Sequence, residues 1–276
     1  MRTLGVLVGH ELREAVRHRW LVGYGVLFAA LALGLALIGP RISGAVGLEG
    51  YGRTTASLLN LCLTLVPLIA LLLGSVGLSG DRETGVLELF LAQPASRAQL
   101  LIGRFAGSLA AIGLATLLGF GIAGALIGLA TGAAGGLQYA AFLGIALALA
   151  AVFLAIGSAI AVMSRNRVQA IALALAAWFA AVVVFDLALI AAGALVGAGV
   201  GALAAAVLLN PVEVARILAL LLLDPGLEVL GPVGGFLVAR LGTAGTAALL
   251  MTALAAWVTA PLLAALALFE TRDPLT

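Results

Sequence analysis

The chain has 276 residues, 64% of them hydrophobic and only 9% charged, with mean hydropathy +1.26. No soluble domain of this length buries so much apolar surface, so lipid is its solvent; the uniformly apolar runs mark spanning helices rather than the alternating strands of a barrel. Net charge is +2, all fourteen basic residues are arginine and Cys62 is the single cysteine, which excludes an internal disulfide, a lysine Schiff base and a Walker A loop. The chain therefore supplies no standard ATP-hydrolysing site of its own.

Residues 3–19 place Leu4, Leu7, Val8, Leu12, Ala15 and Val16 on one helical face and His10, Arg13, Glu14 and Arg17 on the other. This spacing predicts an amphipathic helix on the membrane surface. Six spans follow at about Leu21–Gly39, Leu58–Leu78, Leu100–Ala130, Leu137–Met163, Val168–Leu195 and Thr243–Phe269, each long enough for a core about 30 Å thick. A cytoplasmic N-terminus puts ten arginines inside and leaves Arg41, Arg53, Arg216 and Arg240 outside, so both termini are expected in the cytoplasm.

The loop at 80–98, between the second and third spans, is unusually charged. Asp81, Arg82, Glu83 and Thr84 are expected to begin a short cytoplasmic helix over 81–92, continuing through Gly85. Val86, Leu87, Leu89, Phe90 and Leu91 give it an apolar face while Glu83 and Glu88 stay polar; Gln93-Pro94 stops it, and Ser96 can cap the next helix. A solvated hairpin has no need of Leu89, Phe90 and Leu91 together, so this surface points to a cytoplasmic protein partner.

Further along, "GFGIAG" at 119–124 matches a dinucleotide fingerprint but lies inside an apolar span with no preceding strand, which excludes that reading. The ladder Gly124, Gly128, Gly132, Gly136 is either a close-packing seam or a by-product of the chain's 36 glycines. Between Val168 and Leu209 the only ionisable residue is Asp186. With no Pro or Gly pair to turn the chain there, one span followed by an apolar outer segment is expected, rather than two short spans hinged at Asp186. An intramembrane carboxylate suggests function, but with no ionisable partner in the run an ion relay is not expected, and a place near the outer interface is preferred.

In "LNPVEVARILALLLLDPG", 209–226, Asn210 can cap a helix with Pro211 at its first position, and Asp224-Pro225-Gly226 can end it. This predicts a periplasmic helical segment within 197–242, on which Glu213 and Arg216, three residues apart, share a face. No Cys, Met or His cluster is spaced to hold a metal, and no nucleophile or hydrolase motif is present, so no catalytic residue is assigned.

"DRETGVLELFLAQPASRAQLLIGR" resembles the first cytoplasmic loop of type-2 ABC transporter permeases, with an acidic-x-Gly-x-Leu helix, a Pro-Ser turn and a basic start to the next span. "FDLALI" at 185–190 and "LNPVEVARIL" at 209–218 are similar to the permeases that serve nitrous oxide reductase maturation. The resemblance implies an all-α integral membrane protein of the type-2 exporter kind, with residues 1–276 forming a single permease domain in the bacterial inner membrane. It implies a homodimer with two cytoplasmic ATPase subunits, which bind the ATP and Mg and dock on Asp81, Arg82, Glu83, Thr84, Gly85, Glu88, Leu89 and Phe90. It also implies a periplasmic β-helical copper-handling subunit, for which Asn210, Glu213, Arg216, Asp224 and Glu228 form the expected docking surface. The expected role is maturation of the reductase's copper–sulfur centre, by export of a sulfur species or by mechanical work on the outer subunit, with no cofactor in this chain and no nucleic-acid partner. A generic exporter of lipid, peptide or drug is the alternative.

Overall fold

A computed structural model of the chain describes residues 50–91, 96–131, 136–195, 197–227 and 230–271, with the isolated positions Gly23, Val26 and Ala30. The expected interfacial helix at 3–19, most of the first expected span, and Glu228 lie outside the described residues. The described elements are α1 (Gly50–Thr84), α2 (Val86–Leu91), α3 (Arg97–Thr131), α4 (Gly136–Met163), α5 (Arg167–Phe179), a π-helical turn (Ala180–Val184), α6 (Phe185–Ala194), α7 (Val200–Val207), α8 (Pro211–Leu223) and α9 (Gly231–Thr271). No strand occurs among the described residues, as the non-alternating apolar runs imply.

Five stretches are long and apolar enough to cross a bilayer: Asn60–Thr84, Arg97–Ile122, Gly136–Met163, Arg167–Ala194 and Pro232–Thr271. They match the second to sixth spans expected from sequence. The run from Arg167 to Ala194 stays helical through Asp186, with Val184 at φ −66 and Phe185 at φ −65, so no hinge divides it there. α7 and α8 meet at 104° across a short break. The thirteen residues of α8 extend about 20 Å, short of a core about 30 Å thick, so neither limb of the bent pair crosses alone, and α8 packs against α1, α4 and α9.

Lipid gives no hydrophobic drive between helices, so they associate by close packing and by hydrogen bonds. α4 is the central helix: 72% of its span is buried, against α1, α3, α8 and α9. Its crossing with α1 rests on two facing glycines. A Cβ on Gly74 would lie 2.7 Å from the Leu154 carbonyl oxygen, and one on Gly157 would lie 2.7 Å from that of Leu71. Of the Gly124–Gly136 ladder, only the surroundings of Gly124 and Gly136 fall among the described residues, and neither faces a second glycine. A Cβ on Gly124 would run into the Tyr139 ring, at 2.5 Å, and one on Gly136 would meet nothing within 4 Å. Tyr139 packs among Phe120 and Phe142, and its hydroxyl donates to the Phe120 carbonyl at 2.8 Å, tying α4 to α3. Two indole N–H groups fasten the periphery: Trp178 donates to the Thr64 carbonyl at 3.0 Å, and Trp257 to that of Leu208 at 3.0 Å.

Glycine also breaks the helices in two places. Gly85, at φ 76, separates α1 from α2, so the helix expected over 81–92 is divided and Asp81–Thr84 form the last turn of α1. The sequence pattern carries the apolar period across this point but does not show the left-handed residue within it. Gly242, at φ 68 and ψ 172, interrupts α9 just before the last expected span. The buried Thr246 hydroxyl is shared between the Gly242 and Leu237 carbonyls, at 2.8 and 3.2 Å, and covers acceptors exposed by the break.

Candidate functional site

The described polar apparatus gathers at the two ends of the bundle. At one end α2 acts as a key with two faces. Leu87 is fully buried among Leu78 of α1, Leu100 and Leu101 of α3, Ala161 and Val162 of α4, and Ala265 and Phe269 of α9. Its other side leaves Leu89 68% exposed, beside exposed Val86 and Glu88. The side chain of Phe90 lies outside the described residues. After the loop, Ser96 and Gln99 form a reciprocal cap at the start of α3. The Gln99 N–H donates to Ser96 Oγ at 3.1 Å, and the Ser96 N–H to Gln99 Oε1 at 3.2 Å.

Three of the residues just before α2 reach across to neighbouring elements. Asp81 is paired with Arg104 of α3, their side chains 21% and 12% exposed. Arg82 Nη1 donates to the carbonyl of Ser164, in the turn between α4 and α5. Glu83 Oε2 accepts from the backbone N–H of Arg167, the first residue of α5, at 3.2 Å. That turn is closed locally by Asn166, whose Oδ1 accepts from the Gln169 N–H at 2.8 Å. Arg97 Nη1 reaches the Phe269 and Glu270 carbonyls at 3.2 and 3.3 Å, a cation at the C-terminal end of α9. Thr84 and Gly85 are exposed, and the Thr84 hydroxyl donates to the Gly80 carbonyl at 3.1 Å. Arg104, Ser164 and Arg167 were not singled out in sequence, because their partners lie far off in the chain and no spacing announces them.

At the opposite end, nineteen residues beyond Arg167 and so about 28 Å along the helix, stands Asp186. That depth puts it near the far interface of a core about 30 Å thick. It is not without an ionisable partner, contrary to the expectation from its own run. Arg216 Nη2 donates to Asp186 Oδ2 at 3.0 Å, while Arg216 Nη1 lies 2.5 Å from Glu213 Oε1. Glu213 and Arg216 do share a face, but it turns into the bundle: Glu213 is 5% exposed and the side chains of Arg216 and Asp186 are 25% and 31% exposed. Asn210, 2% exposed, caps α8 through Oδ1, which accepts from the Val212 N–H at 3.0 Å. Asp224 closes the turn after α8, its Oδ1 accepting from the Gly226 N–H at 3.1 Å. Leu209, Leu223, Pro225 and Gly226 are the exposed positions around α8.

No group of three or more metal-ligating side chains comes together among the described residues. What the geometry offers is a lipid-embedded bundle with a protruding helix keyed into one end and a charged clamp at the other. It is a multi-pass membrane protein of a transporter family: residues 6–274 match the family described as ABC-2 family transporter protein, and the chain belongs to it. Among individual proteins it is similar to the "Probable ABC transporter permease protein NosY" of Stutzerimonas stutzeri. The two are 37% identical over 268 residues, covering 95% of this chain and 96% of that one. The protein of the same name from Pseudomonas aeruginosa is 36% identical over 278 residues, covering 99% of each chain.

Proposed function

We propose that the chain is the permease subunit of an inner-membrane ABC transporter. In this reading it pairs with a second copy of itself, and two cytoplasmic ATPase subunits dock on α2, the helix that carries exposed Leu89. The observation that carries it is that six-residue helix, anchored by one buried leucine and presenting another outward, in a chain similar along nearly all its length to permeases. A buried Leu87 fixes the helix to α1, α3, α4 and α9, so force applied at Leu89 reaches the bundle. Thr84, Gly85, Glu88 and Leu89 make the exposed surface offered to the ATPase.

The particular task is maturation of the copper–sulfur centre of nitrous oxide reductase, by export of a sulfur species or by work done on a periplasmic partner. The similarity of "FDLALI" and "LNPVEVARIL" to that permease subfamily supports it, as does the near full-length similarity to proteins named NosY. Asn210, Glu213 and Arg216 belong to the frame that shapes the outer surface, and the Pro225–Gly226 turn is what a periplasmic partner meets.

The test is co-expression of the tagged chain with the ABC ATPase of a neighbouring gene, in wild type and in Leu89→Asp. The wild type is expected to hold the ATPase through purification, and the variant to release it. In a denitrifying host lacking the chain, nitrous oxide reductase is expected to lose the spectrum of its copper–sulfur centre. A normal centre in that host would favour the generic exporter.

A further inference from the structure

We propose that Asp81, Arg82 and Glu83 are positioning residues, a three-way relay that hands movement of α2 to α3, to the α4–α5 turn and to α5, rather than contacts for the ATPase. The proposal rests on the reading of α2 as the ATPase-docking helix.

Successive residues on an α-helix point about 100° apart, so one turn can reach three neighbours. The last turn of α1 does this with consecutive side chains: Asp81 holds Arg104, Arg82 holds the Ser164 carbonyl and Glu83 holds the Arg167 N–H. A docking residue must be open to its partner. Asp81 and Arg82 are half-buried, and Asp81 is engaged by a guanidinium that is itself 12% exposed. Glu83 is exposed, but its carboxylate oxygen occupies an N–H of the first turn of α5, where such groups have no partner within their own helix.

These links join elements with different reach. Gly85 gives α2 a pivot directly after the relay, and Leu87 keys α2 beneath it. α5 is the first part of a continuous helical run that ends beyond Asp186, which clasps Arg216 of α8. A displacement entering at Glu83 and Arg82 therefore has an unbroken covalent and hydrogen-bonded route to the far end. Packed elements joined in this way transmit discrete rearrangements rather than dissipate them.

The experiment uses the full chain with its ATPase in lipid nanodiscs, with a fluorophore on Pro225→Cys; native Cys62 is 1% exposed and gives little background. Asp81→Arg, Arg104→Asp and the double reversal are compared. The wild type is expected to change its far-end fluorescence on adding ATP. Asp81→Arg is expected to bind and run the ATPase within about twofold of wild type, while the far-end response falls about tenfold. The double reversal should recover at least about half of that response. If Asp81→Arg does not insert, Arg82→Met and Glu83→Gln decide. The first removes the donor to Ser164 and should uncouple; the second keeps an acceptor for Arg167 and should not. A single reversal that keeps the response, or one that loses the ATPase, overturns the relay. Leu89→Asp that still holds the ATPase overturns the docking reading instead.

Discussion

The Asn210 side-chain amide donates to the Ala181 carbonyl at 2.6 Å, joining the first turn of α8 to the π-helical turn of the span beside it. The same side chain accepts from the Val212 N–H through its oxygen, so both ends of one amide are in use. The π turn, closed by the Phe185 N–H on the Ala180 carbonyl, has the wider spacing that leaves carbonyls without their usual partner. Asn210 donates to one carbonyl of this turn, and Arg216 on Asp186 repeats the link a turn further on.

Asn210→Asp separates the two roles. An aspartate keeps the cap oxygen but cannot donate to Ala181, and sets a carboxylate against a carbonyl in a site 2% exposed. Leaving a buried acceptor unpaired costs about 1–3 kcal/mol. Thermal unfolding of the purified protein is expected to occur at lower temperature in Asn210→Asp than in Asn210→Gly, which loses cap and donor without adding repulsion. Equal midpoints would remove the Ala181 bond from the account.

Gly157→Val should disrupt the bundle more than the same change at Gly136. At 157 the new Cβ would sit 2.7 Å from the Leu71 carbonyl oxygen, a backbone atom that cannot move without parting α1 from α4. Overpacking that forces side chains and backbone to shift costs about 1–3 kcal/mol. At Gly136 no atom lies within 4 Å of that position. Yield of monodisperse protein in mild detergent measures the difference.

That contrast shows where the sequence stops being legible. Four glycines at regular spacing from 124 to 136 advertise a packing seam, yet the close crossing uses Gly74 and Gly157, each marked only by a neighbouring serine. Hydropathy locates the spans because crossing the lipid core takes a helix that pairs its own backbone and is long and apolar enough for that thickness. It cannot rank them. Gly136–Met163 and Arg167–Ala194 are almost equally apolar, but 72% of the first window is buried and 6% of the second. Caps were readable, since Ser96, Asn210 and the Asp224 turn act within a few residues. The partners of Asp81, Glu83 and Asp186 were not, because ion pairs and hydrogen bonds across helices leave no local period.

Arg216→Met tests the clamp at the far end. It leaves Glu213, 5% exposed, facing Asp186 with their shared cation removed. Breaking a fully buried pair costs about 3–5 kcal/mol, and the partial exposure of Asp186 and Arg216 brings the expected loss below that. Burial already pushes the Glu213 carboxyl up to about 7, and losing Arg216 raises it further. It is therefore well above that pH that adding Glu213→Gln removes a stranded charge, and there the double variant should unfold at a higher temperature than Arg216→Met alone. A double variant less stable than the single would mean that Glu213 does not depend on Arg216 for its charge balance.

The proposed orientation sets Arg165 in the cytoplasm and Pro225 in the periplasm, both exposed. Cysteines placed there, against a native Cys62 that is 1% exposed, are expected to react with an impermeant thiol reagent in intact cells at 225 only. Labelling at 165 alone would invert the chain, and would put α2 on the wrong side for an ATPase.

Gly85 gives the most discriminating variant at the proposed docking helix. Its φ of 76 lies in the left-handed region, and a Cβ there would meet nothing within 4 Å, so any penalty is conformational rather than a clash. Left-handed backbone costs an L-residue about 1–2 kcal/mol, less for asparagine, whose short amide tolerates it. Valine, branched at Cβ, should instead favour continuing α1 into α2. The chain would then run straight where it now turns, drawing Leu87 from its seat beside Phe269 and re-aiming Leu89. Gly85→Val is therefore expected to insert normally yet lose most ATPase co-purification, whereas Gly85→Asn should retain it. If both variants bind as wild type does, the turn at Gly85 does not set the docking surface. If both fail equally, the site needs the absence of a side chain rather than the left-handed turn.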